Sequence, residues 1–288
     1  MQSPLASLRP RSATELGPFC GASGQEMASI ARASVKAGSV GSARKAIRSG
    51  RVLKETIRHG GGRGVRGLAG AARLLYNRGR RTRPRSATRS PTLLRIVTYP
   101  HPALRYESVP VTRIDDALRR QVRAMFDLMY EHKGVGLAAN QVGLPFRFFI
   151  LNIAADPEQA EKEQVFINPE IVKRHSQIEW EEGCLSFPGL YGKVKRARRV
   201  RVRAFDLAGS PIEVEADELL GVAIQHETDH LSGRLHIDHF DQAARAAATG
   251  KLKEWEAAFR QEQAEGKVPG DDAIRKQLDD LARGGGPT

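Results

Sequence analysis

The nine residues from Gln225 to Gly233 constrain this chain more than any other stretch, because they carry two histidines four positions apart. On an α-helix, side chains four positions apart lie one above the other on the same face. His226 and His230 can therefore reach one metal ion, and Glu227, beside the first histidine, is available to move a proton. A solvated surface helix is the alternative for this stretch taken alone.

Two further stretches favour the metal site. The first contains Cys184, which is followed by Leu185 and is the only cysteine after residue 91. A thiolate and two imidazoles supply three ligands and leave one position open, which is the catalytic rather than the structural arrangement. Two cysteines cannot build a disulfide framework, so Cys184 is predicted to be a thiol in a reducing compartment. The second stretch is rich in glycine, runs from Gly134 to Gln141 and is predicted to be a loop.

Together, the three stretches resemble the three signature motifs of the peptide deformylases, over residues 93 to 240. The resemblance implies a hydrolase that removes the formyl group from N-formylmethionyl nascent peptides and releases formate. It also implies association with the ribosome. A bound metal would lower the pKa of water and polarise the formyl carbonyl. The resemblance implies Fe²⁺, one per chain, whereas the ligand types and geometry suit Zn²⁺.

The resemblance assigns a role to each predicted site residue. Cys184, His226 and His230 are the expected metal ligands. Glu227 is expected to carry the proton from water to the departing amine. The side-chain amide of Gln141 and the backbone N–H of Leu185 are expected to donate to the oxyanion, which is commonly the largest single contribution to catalysis.

Further residues are expected to support the site. Gly134 and Gly136 would let the backbone approach the substrate closely, and Glu182 and Asp229 would orient the ligands. The methionine pocket is predicted from apolar residues that could equally be core: Val135, Leu219, Val222 and Ala223. Gln225 is expected to support a loop, and Asn140 is given no role. The chain has Tyr191 near the position where many deformylases have an arginine, so substrate contacts there need not follow the family.

The positive charge of this chain is concentrated before residue 92. The whole chain has a net charge of +13, and residues 1–91 hold 19 Lys and Arg against 3 Asp and Glu. That segment has no sustained hydrophobic period and is predicted to be a disordered basic extension. Three interpretations stay open: a misassigned start codon in a bacterial gene, an organellar transit peptide, or a basic tail that touches nucleic acid. The expected compartment is therefore the bacterial cytoplasm. If the segment is a transit peptide, the expected compartment is a plastid or a mitochondrion.

The remainder is predicted to be α+β, with antiparallel sheets packed around the metal-binding helix over residues 92–240. Apolar residues at helical spacing predict a helix over residues 115–132. Residues 146–153 and 164–172 are predicted strands, and residues 200–204 and 212–216 a hairpin with one buried face. Residues 241–265 are predicted to be a helix, followed by a flexible tail to residue 288. No apolar run reaches the roughly 18 residues of a membrane helix.

Three smaller expectations concern charge and capping. Asp217 can cap the metal-binding helix, and Gly233 lies where a helix-ending glycine belongs. A basic run from Lys193 to Arg199 is interpreted as a solvated strand edge rather than a nucleic-acid site.

Two other functions remain as alternatives. His-Glu-x-x-His also occurs in zinc metallopeptidases, which would cleave peptides without a formyl group. The chain could also be a ribosome- or RNA-binding protein whose metal site is inactive.

Overall fold

The computed structural model describes residues 94–284. The predicted disordered extension, residues 1–91, lies outside this range, and the division of the chain at residues 91 and 240 stays a prediction. Within the described range, no helix combines the length and the apolar character needed to cross a bilayer. The fold is α+β with antiparallel sheets, as predicted.

The first α-helix of the described residues, α1, spans Asp116–Glu131. Its start is fixed by Asp115, whose carboxylate accepts a hydrogen bond from the backbone N–H of Leu118 at 3.0 Å. This contact satisfies one of the amide groups that a helix leaves without a partner in its first turn. The predicted apolar stripe is buried at five positions: Leu118, Val122, Met125, Phe126 and Met129. The helix prediction is therefore confirmed to within one residue at each end.

Within residues 94–284, seven strands form two antiparallel sheets. The larger sheet has the order β1-β2-β3-β6-β7, and the smaller consists of β4 and β5. The strands are β1 (Gly136–Ala138), β2 (Phe148–Leu151), β3 (Gln164–His175), β4 (Ile178–Glu182), β5 (Gly192–Arg196), β6 (Arg199–Phe205) and β7 (Pro211–Asp217). The predicted hairpin is β6–β7, in which Val202 lies opposite Val214. Its buried face includes Val200, Val202, Ala204 and Ala216, and cross-strand arginine–glutamate pairs occupy the other face.

The glycine-rich stretch differs from the loop expected of it. Gly136–Ala138 is a strand that pairs with β2, and Ala139–Val142 is a short 3-10 helix. Because β1 is the edge strand of the larger sheet and is hydrogen-bonded to β2, the side chains of this stretch are held on a rigid element rather than on a free loop.

The second helix, α2, spans Glu218–His230 and carries the histidine motif. Alternate residues of β2 belong to different apolar clusters: Phe148 and Ile150 pack with α1, whereas Phe149 and Leu151 pack with Ala223 and Ile224 of α2. Since successive side chains of a strand point to opposite faces, α1 and α2 cover opposite faces of the sheet. The motif helix is consequently buried along most of its length, which excludes the solvated surface helix.

In the part of the chain that the structure describes, two α-helices follow the motif. The predicted helix over residues 241–265 is confirmed as α3, Gln242–Ala264. The prediction of a flexible tail after this helix was wrong in part, because Asp271–Arg283 forms a further helix, α4. Ile274 and Leu278 of α4 are buried against Ala103 and Phe259. Burial of these two apolar side chains packs α4 against the rest of the described fold and stabilises it there.

Candidate metal and active site

Helix α2 is held tightly at both ends. It begins directly after β7, where the backbone N–H of Glu218 donates to the carbonyl of Arg198 at 2.9 Å. Asp217 lies at the position before the helix, but its side chain makes no capping hydrogen bond and instead pairs with Arg199 at 3.5 Å. Gly233 has φ +66°, and a Cβ there would lie 2.7 Å from the carbonyl oxygen of Arg105. Only glycine fits this helix end, as predicted.

Gln225 anchors the middle of the helix to the connection between β5 and β6. Its side-chain oxygen accepts from the N–H of Ala197 at 2.9 Å, and its nitrogen donates to the carbonyl of Ala197 at 2.8 Å. The residue therefore supports the fold beside the site. Asn140, which was given no role, donates from its side chain to the carbonyl of His230 at 2.5 Å. It ties the end of the motif helix to the glycine-rich segment.

The three predicted metal ligands come together. Cys184 Sγ lies 3.3 Å from His230 Nε2, and one ligand atom from each of Cys184, His226 and His230 lies within 4.8 Å of the others. These separations are compatible with bonds of about 2.0 to 2.3 Å to one shared ion. Both histidines are buried, and the cysteine is half-buried. A thiolate with two imidazoles is a donor set that suits divalent zinc or iron.

A buried carboxylate fixes the orientation of His226. Glu182 Oε2 lies 2.9 Å from His226 Nδ1, so the other ring nitrogen, Nε2, is the one that would bind a metal. Burial alone would raise the pKa of Glu182, but hydrogen bonds from Arg196 and His226 outweigh it and lower this pKa to about 2. Glu182 is thus ionised at neutral pH, and a carboxylate acceptor of this kind sets the tautomer and increases the basicity of a ligating histidine.

Arg196 was interpreted wrongly from the sequence. The prediction of a solvated strand edge is correct for its charged neighbours, but the side chain of Arg196 is only 5% exposed. Its guanidinium donates to both oxygens of Glu182, at 2.6 and 3.0 Å, and also bonds to Asp229. Arg196 therefore links Glu182 and Asp229 in one buried network, which contacts His226 through Glu182. The sequence signal was present only in the acidic partners, which lie 14 and 33 positions away.

The pKa of Glu227 is raised, whereas the pKa values of the neighbouring Glu182 and Asp229 are lowered. Burial raises the pKa of Glu227 to about 7. A Cβ on Gly136 would lie 2.5 Å from Glu227 Oε1, so the absence of a side chain at position 136 makes room for this carboxylate. A carboxyl group with a pKa near the working pH can both accept and return a proton.

Gln141 is buried beside the cysteine ligand. Its side-chain oxygen accepts from the N–H of Ala138 at 2.8 Å, which orients the amide. The amide nitrogen then points to Cys184 Sγ at 3.4 Å and to Ser186 Oγ at 3.2 Å. Leu185, between these two residues, is in close contact with Gly134, where a Cβ would lie 2.7 Å from Leu185 Cδ1.

A cavity of about 210 Å³ opens onto this arrangement. Its lining includes the catalytic candidates Glu227, Gln141 and Leu185, together with Cys184 and His226. Val135, which was expected in the methionine pocket, also lines the cavity. Gly189 and Tyr191 line it as well. Leu219, Val222 and Ala223, which were expected in the methionine pocket, are buried but do not line this cavity; Ala223 belongs to the core between α2 and the sheet.

His236 is a buried polar residue that the sequence did not single out. Its ring packs against Phe187 and Phe240, with centroid separations of 4.8 and 5.1 Å. Neither ring nitrogen has a hydrogen-bond partner among residues 94–284. Burial lowers the pKa of His236 to about 3, so the ring is neutral at physiological pH.

Comparison with known proteins agrees with this geometry. Residues 93–246 match the family model described as polypeptide deformylase. A peptide deformylase of Chromobacterium violaceum is 46% identical over 164 residues, which is 57% of this chain and 96% of the relative. One from Rhodopirellula baltica is 40% identical over 184 residues, covering 64% of this chain and 91% of the relative.

Solved structures give the same result. A Plasmodium falciparum peptide deformylase has a TM-score of 0.56 at 41% identity, covering 59% of this chain and 98% of its own. A plant peptide deformylase has a TM-score of 0.58 at 36% identity, covering 63% of this chain and 97% of its own.

Proposed function

This chain belongs to the polypeptide deformylase family, and from that premise we propose how its residues divide the work of hydrolysis. The protein is a peptide deformylase, which removes the formyl group from N-formylmethionine at the start of new polypeptides. The observation that carries this function is the meeting of Cys184, His226 and His230. Two of these ligands, Cys184 and His226, line one cavity together with the buried Glu227.

We propose that Cys184, His226 and His230 hold one Fe²⁺ ion, with Zn²⁺ as the alternative. A divalent metal held by these residues would lower the pKa of water and polarise the formyl carbonyl. Three protein ligands leave a position open, as catalytic sites require. The Glu182 carboxylate supports this assignment because it holds the His226 ring by its other nitrogen. Metal analysis of protein purified without oxygen, with activity measured alongside, distinguishes the two ions.

Glu227 is proposed as the residue that accepts a proton from the attacking water and returns it to the departing amine. Its pKa of about 7 supports both transfers, because neither protonation state is strongly favoured at neutral pH. The carboxylate lines the cavity and lies next to a metal ligand in the chain, so the group is close to where water and substrate would meet.

Gln141 and the backbone N–H of Leu185 are proposed to stabilise the oxyanion. Preorganised donors are effective because they need no rearrangement when charge develops. The amide of Gln141 is preorganised by its contact with Ala138, and its nitrogen already lies beside the Cys184 sulfur. For Leu185, the support is its position in the cavity wall directly after the metal ligand.

The test is Glu227→Ala in metal-loaded protein, assayed on a formyl-Met peptide and on the same peptide without the formyl group. We expect full metal content and a loss of turnover of about 10²- to 10⁴-fold, the usual contribution of a general acid–base group. Activity of the wild type on the unformylated peptide would favour the metallopeptidase alternative. Near-normal turnover by the metal-loaded variant would remove Glu227 from its role.

We further propose that the substrates are nascent chains at the ribosome, and that the protein acts in the bacterial cytoplasm. The bacterial relatives support the compartment, whereas the similarity to a plant enzyme keeps an organelle, a plastid or a mitochondrion, as the alternative. Mapping the first residue of the mature protein separates these two. Salt-sensitive RNA binding that disappears on deletion of residues 1–91 would assign the basic segment to nucleic acid.

A further inference from the structure

We propose that Lys251, on helix α3, is a positioning residue for the deformylase reaction that holds the Pro188–Gly189 wall of the substrate cavity. This inference rests on the proposed function of that cavity. It also extends the functional unit beyond residue 240, where the sequence placed the end of the catalytic domain.

The contact between Lys251 and the cavity wall is direct. Lys251 Nζ donates to the carbonyl oxygen of Pro188 at 3.0 Å and to that of Gly189 at 2.9 Å. Both residues line the cavity that contains Cys184 and Glu227. The ammonium therefore bridges two successive carbonyls of the wall, and hydrogen bonds from a charged donor are stronger than neutral ones.

The wall has few other polar constraints at this point. Within residues 94–284, three backbone hydrogen bonds hold the turn from Cys184 to Leu190: from Phe187 N to Cys184 O, from Leu190 N to Phe187 O, and from Tyr99 N to Ser186 O. None of them uses the carbonyl of Pro188 or Gly189. Gly189 has φ +66°, a conformation that other residues rarely adopt. The ammonium thus stabilises a short, unusual turn between the metal ligand and β5.

Helix α3 holds the lysine in place. Lys251 Nζ lies 5.1 Å from the centre of the Trp255 ring, a distance at which a cation is attracted to an aromatic face. Trp255 in turn packs edge-on against Phe187, with ring centroids 6.0 Å apart. Leu252 and Ala248 join the same apolar cluster as Phe187 and Leu190. The side chain is therefore preorganised behind the wall rather than free in solvent.

This arrangement predicts an effect on substrate binding rather than on chemistry. Lys251 contacts no metal ligand and no proposed proton carrier among its described hydrogen bonds. Without the ammonium, the Pro188–Gly189 turn would sample several positions, and only a fraction of molecules would present a complete cavity. The apparent dissociation constant rises as the competent fraction falls.

The experiment compares three variants of the full, metal-loaded chain on a formyl-Met-Ala peptide. Lys251→Met keeps the length of the stem but removes the donor, and Lys251→Arg restores a cation. Lys253→Met is the matched control, since this exposed lysine of the same helix loses the same charge. We expect Lys251→Met to raise KM by about 3- to 10-fold with kcat within twofold, because the competent fraction falls but the reacting groups stay in place. Lys251→Arg should return KM to near the wild-type value, and Lys253→Met should leave it unchanged.

Metal content, melting temperature and amide exchange separate positioning from general support. In Lys251→Met, amides of residues 185–191 should exchange faster, while metal content and melting temperature stay close to those of the wild type. An unchanged KM with unchanged exchange overturns the proposal. Equal losses of kcat, metal and melting temperature also overturn it, because they assign Lys251 to the stability of the fold. If the wild type cleaved no formyl peptide, the proposed function would fail, and the exchange measurement would still test the contact.

Discussion

Replacing Arg196 with methionine should cost this protein a large part of its stability. The guanidinium is buried and bonds to two carboxylates, of which the Glu182 side chain is fully buried and the Asp229 side chain is 9% exposed. Methionine fills much of the same volume but leaves both negative charges without this partner. Removing one member of a buried ion pair typically costs about 3 to 5 kcal/mol.

The two carboxylates should contribute unequally to that loss. Asp229 keeps Arg234 and His239, each at 2.8 Å. Glu182 keeps only the imidazole of His226, at 2.9 Å, among the ion pairs of the described residues. Most of the cost should therefore arise at Glu182. We expect a loss of about 3 to 4 kcal/mol in the free energy of unfolding at pH 7, within the range for broken buried pairs.

The pH dependence gives a second check. In the wild type the pKa of Glu182 is held at about 2, so its favourable contribution is present above its unfolded value near 4.5 and is lost as pH falls toward 2. In Arg196→Met, burial should instead raise this pKa above the unfolded value, so that ionisation opposes folding as pH rises. Both the low pKa of Glu182 in the wild type and its raised pKa in the variant make the variant less stable, relative to the wild type, as pH rises. The difference in stability between wild type and variant should be larger at pH 8 than at pH 5.

Urea unfolding of metal-depleted protein measures this effect without a contribution from metal binding. Arg199→Met is the matched control, because this exposed arginine of the next strand pairs with Asp217 at 3.5 Å. Exposed pairs are usually worth about 0 to 1 kcal/mol. A loss of less than about 1 kcal/mol in Arg196→Met, or an equal loss in the control, would refute the reasoning that a buried broken pair is costly.

Three further changes test individual site residues. Cys184→Ser should lower metal occupancy after dialysis together with activity, because a hydroxyl is a weaker ligand than a thiolate; full occupancy would show that another residue is the third ligand. Gln141→Ala should keep the metal and lower kcat by about 10²- to 10³-fold, the usual value of one oxyanion donor; a lower melting temperature with kcat preserved in the folded fraction would assign the residue to the fold. His236→Phe should raise the melting temperature, because it replaces two unpaired ring nitrogens with an apolar edge between Phe187 and Phe240. The stability of His236→Phe relative to the wild type should increase as pH falls from 7.5 to 5.5. The reason is that the unfolded wild-type histidine binds a proton below about 6.5, whereas the folded one, with a pKa of about 3, does not. An equal stability difference at both pH values would contradict this account.

Local patterns were enough to predict most of the fold. The helical spacing of Leu118, Val122 and Met125 predicted α1, and the alternation of Val200 and Val202 predicted the hairpin, because both signals depend on near neighbours. Ile274 and Leu278 of α4 show the same helical spacing. That helix was missed because a short charged segment next to a glycine-rich end was interpreted as a tail.

The site was predictable where its chemistry is unusual and not where it depends on distant partners. Histidines four positions apart and one late cysteine indicated the ligands, because few other arrangements use those residue types together. Arg196 could not be placed from its own neighbours, since a basic residue in a charged strand is ordinarily solvated. Its burial depends on Glu182 and Asp229, and Lys251 likewise depends on carbonyls 62 and 63 positions earlier. Sequence reveals residue type, whereas these roles arise from long-range contact.

The separation of the ligands along the chain determines when this enzyme can acquire its metal. Cys184 and His230 are 46 positions apart, and strands β5, β6 and β7 lie between them. Contacts between distant positions form late, because the entropy of closing the intervening chain is lost before the contact is gained. During synthesis, Cys184 leaves the ribosome well before the histidines and cannot form the three-ligand site alone. Ion capture therefore follows hairpin and helix formation, and the rate at which activity appears after refolding should report the completion of the sheet.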